Sequence, residues 1–64
     1  MTKEERQNWI DNIDNTAAAV TSIVGSATVT SVLKRFGVSC AEEASDNALP
    51  EIFSELYAIE ADLK

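Results

Sequence analysis

The chain has 64 residues, eleven acidic against five basic, for a net charge of −6, with no histidine and a single cysteine, Cys40. That inventory excludes an internal disulfide, a Cys/His zinc site and the imidazole chemistry that serves most acid–base catalysis near neutral pH. Too few cations are present to coat a phosphate backbone, and a chain this short forms one domain, 1–64, whose modest core leaves stability marginal unless association adds to it.

The first predicted element opens on Thr2-Lys3-Glu4-Glu5, a capping box in which the Thr2 hydroxyl and the Glu5 carboxylate each accept a backbone N–H of the other residue. From there Ile10, Ile13, Ala17, Val20 and Val24 recur at spacings of three and four, the repeat of one buried helical stripe. Trp9 adds a large apolar area beside Ile10. The spacing predicts a helix over about residues 3–24, ended by a left-handed Gly25.

The stretch Asn15 to Leu33 carries no charge. Its Thr and Ser content makes it too polar for a membrane span, and no membrane association is expected. Val20 to Val32 is rich in β-branched residues, and Gly25-Ser26 suits a two-residue hairpin turn. A helix–hairpin–helix chain is therefore the alternative fold. Helical spacing at Val29, Val32, Leu33 and Phe36 favours a second helix over about 27–36, capped by Ser26, because a lone two-stranded ribbon is only marginally stable. Lys34 and Arg35 complement its last turn, and Gly37 closes it with Val38 folding back.

Ser39-Cys40-Ala41-Glu42 reads as a second capping box, opening a short turn near 41–44. Ser45, Asp46 and Asn47 form a polar break, with Asp46 or Asn47 expected to cap the last helix and Pro50 tolerated in its first turn. That helix, Leu49 to Lys64, is the most regular stretch: Leu49, Ile52, Leu56, Ile59 and Leu63 keep the three–four repeat, and Phe53 and Tyr57 widen it. The fold class expected is all-α, a small three-helix bundle with an extra short turn.

Chemistry is sparse. Glu51 with Glu55, and Asp11 with Asp14, share helix faces, but a catalytic carboxylate pair needs a pocket that separates its pKa values, which three short helices rarely enclose. Gly25 and Gly37 are isolated, so no phosphate loop exists. No enzyme activity, cofactor, metal or small-molecule substrate is expected. Cys40 reads as a half-buried structural thiol, since Glu42 and Glu43 oppose a thiolate.

Trp9 and Tyr57 are the candidate contact residues, being large side chains with one polar tip. They support the leading expectation: a protein-interaction module that dimerises or docks on a larger partner. One alternative is an acidic mimic of nucleic acid that inhibits a host nucleic-acid enzyme or defence complex through Glu51, Glu55 and Asp62. Another is a nucleic-acid accessory factor using Lys34 and Arg35 beside Phe36. The N-terminal stretch lacks an apolar signal region, and with one cysteine the expected location is cytoplasmic.

Two resemblances attach to the second half. Phe36-Gly37 followed by an Ala/Leu run resembles the layout of a ubiquitin-associated domain. It lacks that family's Met-Gly-Phe-type loop and Ala/Leu spacing, so no binding residue is carried over. Val32 to Leu63, VLKRFG followed by LPEIFSELYAIEADL, is similar to small, mostly uncharacterised helical proteins of phages and conjugative elements of Firmicutes. That resemblance covers the C-terminal half only and implies an accessory or host-interaction role.

Overall fold

A computed structural model describes residues 1–63, so Lys64, the last residue of the expected third helix, lies outside the described residues. The chain forms three α-helices, α1 (Lys3–Val24), α2 (Ser26–Arg35) and α3 (Ala48–Asp62), with one 3-10 turn at Ala41–Glu43. Among the described residues there is no strand, so the hairpin alternative is overturned. Val20–Val24 and Ala27–Val32 lie in consecutive helices, and each satisfies its own backbone without a ribbon partner.

α1 starts on the expected capping box: Glu5 N–H donates to Thr2 Oγ1 at 3.1 Å and Thr2 N–H donates to Glu5 Oε1 at 3.2 Å. At its other end, Gly25 N–H donates to the Thr21 carbonyl at 2.9 Å. Gly25 has a positive φ of 89° but ψ of 171°, so it is not the left-handed closing residue expected. It sits in an extended region open essentially to glycine alone. This single residue separates α1 from α2 with no loop. Ser26 is consequently the first helical residue of α2 and no side chain caps that helix.

α2 ends as its glycine predicts. Gly37 has φ of 75°, its N–H donates to the Lys34 carbonyl at 3.0 Å, and Val38 N–H reaches back to the Leu33 carbonyl at 3.2 Å. That pair of bonds is the Schellman closure, with Val38 packed against the core as its trailing apolar contact.

The next two caps differ from expectation. At the short turn the expected box does not form: Ser39 N–H donates to Glu43 Oε1 at 2.8 Å, not to Glu42, and no side chain returns the bond, the residue flanking the turn being Cys40. At α3 the cap is Ser45, whose Oγ accepts Ala48 N–H at 3.3 Å. Asn47 is already helical in backbone, and Asp46 is engaged by Arg6.

The core gathers Ile10, Ile13 and Val20 of α1, Val29, Val32 and Leu33 of α2, Ala41 and Ala44 of the connection, and Leu49, Ile52 and Leu56 of α3. Buried Thr16 joins the α1 stripe, and Ala17 is only half-buried. α3 packs chiefly on α1 and runs in the same direction. Arg6 meets Asp46 just before α3, and one turn further along, Trp9 meets Phe53. Carrying that offset forward brings Asp62, the end of α3, level with Ala18–Ser22 of α1. The last turn of α1 therefore outruns its cover. Val24 keeps the phase of the stripe yet remains 45% exposed, and Ile23 beside it is 54% exposed.

Candidate functional site

Two surfaces and one internal cluster stand out. The first is aromatic and sits over the α1–α3 contact. Trp9 is half-buried against the core and meets Phe53 edge-to-face, with ring centroids 5.8 Å apart and planes at 64°. Phe53 continues to Tyr57, again at 5.8 Å with planes at 35°. Helical spacing produces the row: Phe53 and Tyr57 lie one turn apart on α3, and the parallel offset sets Trp9 beside the first of them. Trp9 and Phe53 are both half-buried, and Tyr57 ends the row at 57% exposed. Of the two sequence candidates, Trp9 thus anchors the row in the core and Tyr57 carries it to solvent. Phe53, read from sequence only as a widening of the stripe, is the ring that joins them.

The second surface brings together residues from two competing sequence readings. Arg35 Nη2 lies 2.9 Å from Glu55 Oε2. The contact is an ion pair without the alignment of a hydrogen bond, so this buried carboxylate oxygen has its charge compensated but no in-line donor. Glu51, Ser54 and Glu55 line an open concavity of about 420 Å3 with Phe36. Lys34 and Asp62 are exposed. Glu51, Glu55 and Asp62 do share a face of α3 by spacing, and Arg35 lies against its middle.

The third feature is structural and was missed from sequence. Arg6 Nη1 donates to Asp46 Oδ1 at 2.7 Å, and Nη2 donates to the carbonyls of Glu42 at 2.9 Å and Ala44 at 2.8 Å. One guanidinium fork thereby holds the second half of the connection between α2 and α3, from Glu42 to Asp46. Its sequence signal is its phase: Arg6 precedes Ile10 by four residues, so it extends the buried stripe backwards with a cation.

Cys40 is half-buried, with its thiol 3.8 Å from Glu43 Oε1. Its pKa is raised, first by the hydrogen bond with the Glu42 carboxylate and then by desolvation, which opposes nucleophilic use at neutral pH. Asp14 is also pushed above its ordinary value, first by partial desolvation of the carboxyl and then by the Glu42 and Asp11 carboxylates, although the side chain as a whole stays exposed. Among the described residues no group of three or more His, Cys, Asp or Glu is placed to hold a metal ion, and no helix is long and apolar enough to cross a membrane. No family model, curated protein or solved structure matches this chain.

Proposed function

We propose that the chain is a non-enzymatic protein-interaction module that docks on a larger partner through the row Trp9, Phe53 and Tyr57. The observation that carries this reading is the exposure of Tyr57 at the end of a row whose other two rings are half-buried. Trp9 and Phe53 are held by the core, so Tyr57 is presented on a rigid helix with little entropy left to lose on binding. With a net charge of −6, a partner with a cationic rim is drawn to it and a strongly acidic one repelled.

The Arg35–Glu55 ion pair counts against both alternative readings. It ties up the central carboxylate of the nucleic-acid-mimicking face and one of the two cations of the accessory-factor cluster. The resemblance of Val32–Leu63 to helical proteins of phages and conjugative elements favours a host protein as the partner.

The test is capture with immobilised chain from a host extract, run in parallel with Tyr57→Ala. Because Tyr57 is exposed, the variant is expected to keep the helical circular dichroism of the parent. A protein retained by the parent and released by the variant supports the reading. Equal retention by both, or retention of nothing, overturns it.

A further inference from the structure

We infer that the Arg6 fork is a register lock: it holds α3 a little over one turn back from the position its apolar ridge matches on α1, and its release lets the end of α3 advance over Val24. The two ridges carry the same three–four repeat. They match residue for residue when Leu49 faces Ile10, Ile52 faces Ile13, Leu56 faces Ala17, Ile59 faces Val20 and Leu63 faces Val24, each pair 39 residues apart in the sequence. The structure uses another register. Trp9 meets Phe53, 44 residues along the chain, and the Met1 amine lies 3.9 Å from Asp46 Oδ2, 45 residues along. With 44 in place of 39, α3 stands five residues short of the match, a little over one helical turn. Arg6 reaches the same Asp46 with a long side chain that the helix directs toward its own N-terminus.

The mismatch is visible in burial. Val24 is exposed, and Ala17, Ile59 and Leu63 are only half-buried, although all four keep the phase of their ridges. Apolar burial by itself therefore favours an advance of α3, which sets Leu63 against Val24. The fork opposes it. Arg6 stands in the first turns of α1 and makes three contacts with residues 42–46. Asp46 in turn travels with α3, because Ser45 beside it accepts the N–H groups of Ala48 and Leu49 through its carbonyl at 3.0 and 3.2 Å. An advance of roughly 7 Å carries Asp46 away from contacts made at 2.7–2.9 Å. Repeating apolar ridges fit at more than one offset, whereas a directional polar contact fits at one, and fixing register is the best-attested use of such a group.

Little else holds α3 back. α2 meets it less extensively than α1 does, and the Arg35–Glu55 pair joins side chains 60% and 37% exposed, a weak restraint in water. The lock also governs the aromatic row. An advance draws Phe53 off Trp9, so the three rings line up only while the fork is closed. In making the row a docking surface the lock rests on the function proposed for it, and a partner that seats on the intact row favours the locked register by as much as it prefers it. The motion belongs to the one-turn ratchets of one helix past another.

Trp9 is the single tryptophan, so near-ultraviolet circular dichroism reads its contact with Phe53, and methyl nuclear Overhauser contacts read the register. Arg6→Ala, measured in sucrose to favour the folded state, is expected to keep the parent's helicity, lose most of the Trp9 signal and gain contacts between Val24 and Leu63. Arg6→Lys keeps a charge near Asp46 but not the fork, so it is the milder change. It should shift the same way, and it carries the test should the alanine variant unfold. Val29→Ala removes buried apolar surface from α2, away from the fork, and should lower stability while keeping the Trp9 signal and gaining no Val24–Leu63 contact. That control separates a register lock from a residue that merely stabilises. A folded Arg6 variant with its Trp9 signal intact overturns the inference. So does loss of the signal without the Val24–Leu63 contact, or equal loss in Val29→Ala. No partner enters the measurement: its failure leaves capture through Tyr57 standing, and failure of that capture leaves the lock standing.

Discussion

Arg6 illustrates what one side chain can hold. The connection Phe36 to Asn47 gives Ala41 and Ala44 to the core but holds only a single short helical turn, so its backbone carbonyls need partners where it passes the start of α1. The guanidinium supplies two carbonyl contacts and an ion pair at once. Arg6→Ala is expected to cost about 2 kcal/mol, in the range for hydrogen bonds to charged groups, and thermal melting should fall by roughly 8–16 °C for a domain of this size. Arg6→Lys should recover little, because a point ammonium cannot reproduce the planar fork. Asp14 works in the opposite sense. Its raised pKa means that the native state holds the proton more tightly than the unfolded chain does. The native state therefore loses stability as pH rises from the ordinary carboxylate value through the raised one. Asp14→Asn should stabilise the protein at neutral pH, by less than about 1 kcal/mol for so exposed a charge. The melting curves of variant and parent should converge in acid. For Glu5 the sign reverses. Thr2 holds its carboxylate below the usual value, first through the backbone N–H and then through the hydroxyl. That contribution is present above the ordinary value and fades as pH falls through the lowered one.

Among the elements, the junction of α1 with α2 is set by Gly25. A Cβ built there meets nothing within 4 Å, so any penalty for a side chain comes from its φ of +89° alone. Gly25→Ala should destabilise by about 1–3 kcal/mol, readable in urea unfolding, and cavity or clash effects should not add to it. The last turn of α1 and the middle of α3 offer a contrast between two residues that the apolar repeat treats alike. Leu56 is fully buried, and Leu56→Ala should cost about 2–5 kcal/mol, enough to unfold most of a marginally stable chain. Val24 lies beyond the cover of α3, and Val24→Ser should change stability of the single chain by no more than about 0.5 kcal/mol. Chemical denaturation at low protein concentration separates the two.

At the scale of the whole molecule, the proposed docking links stability to the partner. A protein that binds only the folded chain raises its melting temperature, as mass action requires, by about 2.7 kcal/mol of added stability at a hundredfold excess over its dissociation constant. Tyr57→Ala should lose that rise while melting like the parent when alone. Differential scanning calorimetry with and without the captured protein checks both.

The apolar repeats by themselves determined the all-α class, three helices and nearly all of the core, because a three–four spacing has one stable use in water, burial along a helix. The capping box at Thr2 and the glycine closure at Gly37 were equally legible, since both depend on neighbours within a turn. Only the tertiary structure decided the rest. It set α3 parallel to α1 and left the last turn of α1 bare. It drew Asp46 away from its capping role to Arg6, and it joined Arg35 to Glu55, residues assigned in sequence to opposed functions. Each of these turns on which residues distant in the chain become neighbours in space, and a local pattern carries no record of that distance.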